Sequence, residues 1–418
     1  MKKKCFKINL FLLILISLSS NCFAGFKYIS IPGGSNATGT GLAASTSGSK
    51  SLVARYFNYK ISEIIPIGSH SALVGDMTSN RIINLDVSSG EENEVWQLNN
   101  APDHIQYDAD NGFIYASLSS SPYIARINTT TDEIEYLLVV KGGIEPVKDI
   151  VLGEAGELYV YHADDSSVSI TIVDAINWEI TGSPQTSFEC ANEDSGKCGT
   201  FGRPTYDDPY IVYNPYESML YVSSQGVSPP STARLSYDAE SQEFTMEEQI
   251  RYVGGNDIAI SSDGAYLAFF ALTIHDIDPT SLEVELGEWD TTSFAYSGDF
   301  FVEGDSLIAA NSTEIEEFTI STHAKINTWD LYSDVTYIGS ESGCEYRNIK
   351  LLRYTPSGDN AFLLSECGFF NDGAEITMFN RSIDSSIASS NKDSSGGGST
   401  SLLFLGFISI FTLIKRRK

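Results

Sequence analysis

The sequence predicts an all-β protein, and three observations support this prediction. Between residues 26 and 381, long amphipathic helical patterns are scarce, whereas short runs rich in Val, Ile, Tyr and Phe recur between turns of Gly, Asn, Asp and Ser. The chain has 418 residues, of which 42% are hydrophobic and 11% aromatic, enough to bury a substantial core. The runs also share a theme, in which an acidic or Gly turn precedes a strand of the type apolar-Tyr-apolar-Ser.

This theme occurs in seven copies, spaced 40 to 62 residues apart. The clearest copies read FIYAS, ELYVY and MLYVS. One anchor residue can be assigned to each copy, and the seven anchors are Leu73, Ile114, Leu158, Leu220, Leu267, Leu307 and Phe362. Short strands at this spacing are typical of a β-propeller, because one blade buries little alone, whereas blades packed around an axis bury both faces. We therefore expect a seven-bladed β-propeller over residues 25–381.

The tryptophans fall late in the copies. Trp96, Trp289 and Trp329 lie in or beside predicted fourth strands, and Trp178 lies just before one. Because Trp is large and apolar, we expect these side chains to pack between blades rather than to bind a ligand.

The seventh copy lacks a fourth strand. It has predicted strands near 348–354, 361–365 and 375–379 and then continues into a Ser-rich segment. Two strand-like segments before the first copy, 26–31 and 52–59, have no assigned place. We expect one of them to complete the last blade and so close the ring.

The repeated strands resemble those of the broad YVTN-type and WD40-like propeller group. The resemblance rests on the LYVS- and IYAS-like strands and on turns similar to ID-x-x-T, which read LDVS at 85–88 and IDPT at 277–280. The GH…WD pair of true WD40 repeats is missing. Because propellers support binding, lyase, hydrolase and redox chemistry, the resemblance implies a fold and not a function.

The N-terminus has the layout of a secretory signal peptide. Lysines at the start precede an apolar run from Leu10 to Ile16, and Cys22 and Ala24 occupy the −3 and −1 positions of a cleavage site after Ala24. The apolar run is too short for an ordinary membrane span. We expect residues 1–24 to be removed on export.

The C-terminus has the features of a second targeting segment. Residues 382–400 form a Ser/Gly-rich linker that includes Gly396, Gly397, Gly398 and Ser399. Residues 401–418 contain the apolar stretch LLFLGFISIFTLI and end with Lys415, Arg416, Arg417 and Lys418. Together with the preceding small residues, the apolar stretch is about long enough to cross a bilayer, and the basic end would remain cytoplasmic.

This three-part tail resembles the GlyGly-CTERM sorting signals of Gram-negative bacteria. The resemblance implies cleavage by a rhomboid-type intramembrane protease and delivery of the protein to the cell surface. A permanent transmembrane anchor is the alternative. The expected location is therefore the cell surface or the medium, with the chain attached to a membrane at least before processing.

The charge distribution agrees with export and excludes one class of partner. The net charge is −29, but residues 25–414 hold 18 basic and 55 acidic side chains, because both ends of the chain are basic. Binding to nucleic acid requires a basic surface to neutralise phosphates. We therefore expect no nucleic-acid partner.

Four cysteines lie outside the signal peptide, and an even number suits disulfide bonding in an oxidising compartment. The expected local pairs are Cys190 with Cys198 and Cys344 with Cys367. Metal binding by these cysteines is disfavoured because neither pair has CxxC spacing and no His is adjacent.

No catalytic motif is evident. The chain has no G-x-S-x-G elbow, P-loop, dinucleotide fingerprint or CxxCH haem site. His104 and His162 lie near predicted channel or loop positions, but neither has a second His or Cys at ligand spacing, so we interpret both as ordinary loop histidines. Four arginines stand out because cations are rare in the middle of the chain: Arg126, Arg203, Arg234 and Arg347. They could bind an anionic ligand, but pairing with the abundant carboxylates is favoured.

The sequence favours an exported binding or interaction module that recognises an unknown protein or glycan through the loops of one face. Its other partners would be the export and sorting machinery. The alternative is a propeller hydrolase or lactonase with Ca²⁺ or another divalent cation in the central channel. Asp149, Asp208 and Asp257 are the candidate metal ligands, because each lies beside a predicted first strand.

Overall fold

The computed structural model divides the chain into two compact units, residues 1–381 and 382–418. It describes the following residues, all of which lie in the first unit: 52–139, 146–153, 156–163, 168–182, 185, 189–190, 210–223, 231–251, 257–270, 274–277, 295–339, 344, 346–368 and 373–380. The expected signal peptide, the segment 26–31, Trp289 and the whole C-terminal tail lie outside these residues.

The described residues form seven sheets, numbered here in chain order, and the first three are four-stranded antiparallel meanders. Sheet 1 contains β2 (Ile61–Pro66), β3 (Ser71–Asp76), β4 (Arg81–Asp86) and β5 (Glu92–Gln97). Sheet 2 contains β6 (Pro102–Asp108), β7 (Phe113–Leu118), β8 (Tyr123–Asn128) and β9 (Ile134–Leu138). Sheet 3 contains β10 (Val147–Leu152), β11 (Glu157–Ala163), β12 (Val168–Asp174) and β13 (Glu179–Ile180).

The next three sheets continue this order. Sheet 4 contains β14 (Glu189–Cys190), β15 (Tyr210–Asn214), β16 (Met219–Ser223), β17 (Ser231–Asp238) and β18 (Glu243–Arg251). Sheet 5 contains β19 (Asp257–Ile260), β20 (Leu267–Phe270) and β21 (Ile274–Ile277). Sheet 6 contains β22 (Ser297–Phe301), β23 (Ser306–Ala310), β24 (Glu314–Thr319) and β25 (Lys325–Asp330).

Sheet 7 brings together strands from the beginning and the end of the described chain. Its strands are β26 (Val335–Tyr337), β1 (Leu52–Phe57), β29 (Gly373–Asn380), β28 (Asn360–Cys367) and β27 (Arg347–Tyr354), in that spatial order. β1 pairs antiparallel with β29 through six residues and parallel with β26 through three. The prediction that an N-terminal strand completes the last sheet is therefore confirmed, and β1 is that strand.

We call the first meander strand of each sheet its inner strand; these are β2, β6, β10, β15, β19, β22 and β27. Each inner strand contacts the inner strands of the two neighbouring sheets, and β27 contacts β2, so the contacts form a closed cycle. A hydrophobic cluster lies between every pair of neighbouring sheets in this cycle. The described residues therefore form a propeller-like all-β fold.

Three tryptophans occupy the predicted kind of position. Trp96 lies in β5 and is buried between sheets 1 and 2. Trp329 lies in β25 and is buried between sheets 6 and 7, and Trp178 packs between sheets 2 and 3 just before β13. The expectation that these side chains pack between blades is confirmed for them.

The hairpin turns repeat as well. At the end of the third strand of four sheets, a side-chain oxygen of Asp86, Asn128, Asp174 or Asp238 accepts hydrogen bonds from backbone amides two or three residues further on. Such Asx turns hold tight connections. The LDVS motif at 85–88 therefore has a local structural role.

Sheet 7 carries a disulfide and a buried ion pair. Cys344 and Cys367 are bonded to each other, as expected from the sequence. Arg347 Nε donates to Glu375 Oε1 at 2.8 Å, and both side chains are fully buried. The other expected pair cannot be assessed, because the Cys190 side chain and Cys198 lie outside the described part of the structure.

Candidate functional site

Seven polar side chains, one from each inner strand, define a candidate site. We call them the inner-strand cluster: Glu63, His104, Asp149, Tyr210, Asp257, Asp299 and Arg353. All except His104 and Tyr210 are buried. The inner strands enclose the centre of the cycle, so this cluster is where the seven sheets bring polar chemistry together.

β-bulges help to present these residues. β2 is irregular between Ile61 and Ile64, and β6 is irregular between Pro102 and Ile105. Similar irregularities occur near the start of β10 and of β27. A bulge inserts an extra residue and redirects the side chains next to it. Glu63 and His104 lie within the bulges of their strands.

The cluster carboxylates link neighbouring inner strands through the backbone. Glu63 accepts a hydrogen bond from Ile105 N at 2.8 Å, and Asp149 accepts one from Ile211 N at 2.9 Å. Asp299 accepts one from Tyr354 N at 3.0 Å. In each case the amide belongs to the inner strand of the next sheet, so these carboxylates connect one sheet to the next.

Asp257 is held by the two sheets that follow it. Ser297 Oγ donates to Asp257 Oδ2 at 2.5 Å and accepts from Leu352 N at 2.7 Å. Arg353 forms a two-point ion pair with Asp257, in which Nη2 donates to Oδ1 at 2.6 Å and Nη1 donates to Oδ2. The two side chains are 3% and 1% exposed, so solvent screens this ion pair little.

Asp299 lies beside this ion pair and has an unusual acidity. Burial raises its pKa, and the negative charge of Asp257 adds to this effect. The positive charge of Arg353 and hydrogen bonds from two backbone amides oppose the rise, and the resulting pKa is about 7. The carboxyl group therefore changes its charge near neutral pH.

His104 lies between two carboxylates. Its Nδ1 is 3.6 Å from Glu63 Oε2 and 3.4 Å from Asp149 Oδ1. Burial alone would lower the pKa of the imidazole, but the negative charges of Asp149 and Glu63 outweigh burial and raise the pKa from 6.5 to about 10. The imidazole is therefore protonated at neutral pH.

Tyr210 lies next to His104, with the two rings edge to face and their centroids 6.1 Å apart. Burial raises the pKa of its phenol above 10, and the negative charges of Asp257 and Glu63 raise it further. The phenol therefore keeps its proton at neutral pH and remains a hydrogen-bond donor.

The predicted metal ligands are placed as follows. Asp149 and Asp257 lie in the inner strands β10 and β19, and their carboxylates are occupied by the backbone, Ser297 and Arg353 as described above. Asp208 lies outside the described residues. Among the residues that the structure describes, no three His, Cys, Asp or Glu side chains are grouped as metal ligands.

Sequence reasoning missed most of the cluster. Both histidines were interpreted as loop residues, and this is wrong: His104 lies in β6, and His162 lies in β11 with Nε2 2.7 Å from Thr171 Oγ1. Glu63, Tyr210 and Arg353 were not singled out at all. Spacing is a signal that could have found them, because six of the seven cluster residues stand nine or ten positions before an anchor residue, and Asp299 stands eight before Leu307.

The predicted pairing with carboxylates holds for two of the four arginines, Arg126 and Arg347; Arg203 lies outside the described residues, and Arg234 is buried in β17. Arg126 pairs with Glu135 and lies between the rings of Phe113 and Trp178, each about 4.9 Å from the guanidinium. Arg347 pairs with Glu375 in sheet 7. These arginines stabilise the sheets rather than offer free cations.

Neither the protein-family models nor the curated proteins include a match to the chain. Within the described residues there is no helix with the length and apolar character needed to cross a membrane, and the predicted C-terminal helix lies outside them.

Proposed function

We propose that the protein is an exported, seven-bladed β-propeller that acts as a binding module at the surface of a Gram-negative bacterium. Its partner is a protein or a glycan, and the C-terminal tail attaches it to the membrane until a sorting protease removes the tail. The observation that carries the proposal is the occupation of the inner-strand carboxylates by backbone amides and Arg353. These contacts support a rigid frame better than a set of metal ligands.

The connections between strands support recognition at one end of the frame. We call the end where the inner strands begin the entry end, and the opposite end the turn end. Described hairpins at the turn end have four to six residues, whereas the chain between β25 and β27, at the entry end, runs from 331 to 346 and includes the short strand β26. Long connections on a rigid scaffold are common binding sites, so the entry end is the proposed recognition face.

Export is supported by the chemistry of sheet 7. The Cys344–Cys367 disulfide is compatible with an oxidising compartment. Intact-mass analysis of the protein purified from its native cells tests directly whether the signal peptide and the C-terminal tail are removed. A mass that begins after Ala24 and lacks residues 402–418 is expected, and retention of the tail would favour a permanent anchor.

A pull-down from labelled cell surfaces tests the binding function. The mature protein should capture a reproducible partner, and two exposed tyrosines at opposite ends provide matched variants. Tyr346 lies at the entry end and is 54% exposed, whereas Tyr216 lies at the turn end and is 60% exposed. Tyr346→Ser should weaken capture, whereas Tyr216→Ser should not; equal effects would contradict recognition at the entry end.

Metal analysis tests the alternative of a divalent-metal hydrolase or lactonase. The purified protein is expected to contain no stoichiometric Ca²⁺, Mn²⁺ or Zn²⁺ and to show no thermal shift when these ions are added. Retention of one ion per chain, lost in Asp149→Asn, would favour the alternative instead.

A further inference from the structure

His104 and Tyr210 each have one donor atom that the rest of the cluster does not use. Nδ1 of His104 faces the carboxylates of Glu63 and Asp149. Within the described part of the chain, neither Nε2 of His104 nor the Tyr210 hydroxyl has a hydrogen-bond acceptor. Both side chains also keep some exposure, unlike their buried neighbours. They are therefore the members of the cluster that can still reach a ligand.

The protonation of both groups is fixed by their surroundings. The carboxylates beside His104 keep the imidazole charged, and burial together with neighbouring charge keeps the proton on Tyr210. Two adjacent donors that keep their protons near neutral pH can donate to acceptor atoms of a ligand.

The negative charge around the two donors disfavours an anionic ligand. Glu63, Asp149 and Asp257 surround the two donors, and only His104 and Arg353 oppose them within the cluster. The whole chain adds a net charge of −29. A carboxylate or phosphate ligand would therefore meet repulsion, whereas a neutral ligand would not.

Donors and carboxylates lie side by side in this part of the cluster. A neutral hydroxyl group suits such a mixture, because it accepts from one partner and donates to another. Adjacent sugar hydroxyls could accept from His104 and Tyr210 and donate to a nearby carboxylate.

We infer that the His104–Tyr210 side of the inner-strand cluster binds a saccharide unit of a neutral glycan. The inference rests on the proposed binding function and specifies its ligand class and its site. His104 supplies a charged donor, Tyr210 supplies a neutral donor, and Glu63 with Asp149 orients the imidazole.

Titration of the mature protein with a panel of neutral and acidic oligosaccharides tests this inference. Tyr210→Phe is the decisive variant, because it removes one hydroxyl and retains the ring. Loss of one hydrogen bond to a ligand should weaken binding of a neutral glycan about tenfold. Tyr216→Phe, at the turn end, is the matched control and should leave binding unchanged.

His104→Gln provides a second measurement, because it retains a donor but removes the charge. It should weaken binding at least as much as Tyr210→Phe, provided that its thermal transition remains cooperative. If it fails to fold, Tyr210→Phe alone still decides the question.

The outcomes separate this inference from the proposed function. Binding of acidic glycans only, or equal binding by wild type and Tyr210→Phe, would overturn the inference. Capture of a surface protein that survives enzymatic deglycosylation would overturn it too, while leaving the binding function intact. Failure of both the pull-down and the glycan panel would contradict the two together.

Discussion

Sheets 1 and 7 are neighbours in the ring, but they are built in different ways. Sheet 1 comes from one continuous segment, from Ile61 to Gln97, in which each strand pairs with the next along the chain. Sheet 7 combines β1, β26 and the β27–β29 meander, so pairing partners such as Leu52 and Phe379 are more than 300 residues apart. Sheet 1 is a local structure, whereas sheet 7 depends on closure of the whole ring.

The side-chain interactions differ in the same sense. In sheet 1, Arg81 pairs with Asp76 and Glu92, but its side chain is 21% exposed. In sheet 7, the ion pair between Arg347 and Glu375 is fully buried and a disulfide lies nearby. Of these two sheets, the one with fewer local strand connections therefore holds the disulfide and the fully buried ion pair.

Removal of the closing strand should have the largest effect. A chain that begins at Lys60 lacks β1, and so loses the buried side chains of Leu52, Ala54 and Phe57 and two strand pairings. Leu52 packs between sheets 6 and 7, whereas Phe57 packs between sheets 7 and 1, so both interfaces open. The lost energy is comparable with the 5–15 kcal/mol of a typical native state. We expect calorimetry to show loss of the cooperative transition; an unchanged transition would contradict closure by β1.

Breaking the buried ion pair should have the next largest effect. Arg347→Met leaves Glu375 charged and buried, which typically costs about 3–5 kcal/mol in the free energy of unfolding. Arg81→Met in sheet 1 is the comparison variant and should cost less than Arg347→Met. Asp76 is also buried, but it keeps hydrogen bonds from the amides of Thr78 and Ser79, and Arg81 is 21% exposed.

Chemical denaturation measures both variants. The double variant Arg347→Met/Glu375→Leu should recover most of the lost stability, because it removes the uncompensated charge. An equal loss in the free energy of unfolding for Arg347→Met and Arg81→Met would contradict the stronger ionic stabilisation of sheet 7.

Reduction of the disulfide should have a somewhat smaller effect. The bond closes a loop with a sequence separation of 23, which corresponds to about 3 kcal/mol from chain entropy. Hydrogen exchange of the Cys344→Ala/Cys367→Ala variant should show faster exchange in β27–β29, with β2–β5 unchanged. Uniform acceleration in both sheets would show that the disulfide stabilises the ring as a whole.

The smallest expected effect belongs to a turn of sheet 1. Burial opposes ionisation of Asp86, but hydrogen bonds from Ser88 and Ser89 lower the pKa of its carboxyl below 3.8. Its contribution to stability is therefore present above the unfolded pKa of about 4 and is lost as the pH falls through the lower folded pKa. Asp86→Ala should cost under about 1 kcal/mol at pH 7. Between pH 6 and pH 2.5, the free energies of unfolding of the variant and of wild type should converge. A difference that stays constant with pH would contradict the lowered pKa of Asp86.

Much of the fold could be predicted because it depends on local patterns. The anchor residues marked the second strands, the segment 52–59 was recognised as a spare strand, and Trp96 and Trp329 were placed between sheets. Each of these inferences needs only periodicity and residue type. The bond between Cys344 and Cys367 was equally accessible, because few cysteines compete for partners.

The candidate site could not be predicted in the same way, because its contacts join distant residues. Arg353 pairs with Asp257, 96 positions earlier. The side chain of His104 is redirected by a β-bulge, which has no sequence motif that would predict it. Asp149 and Asp257 were recognised as residues near the channel, but the partners that occupy their carboxylates come from neighbouring sheets. Sequence patterns identified the strands but not the three-dimensional neighbours of their side chains.

The position of β29 has a mechanical consequence. β29 ends at Asn380 and lies between β28 and β1, with antiparallel pairing on both sides. A force applied to residue 381 along the strand direction would load both hydrogen-bond ladders in shear, instead of opening them one bond at a time. If the tail tethers the protein to a membrane, the sheet that closes the ring is also the sheet best arranged to resist being pulled away from it.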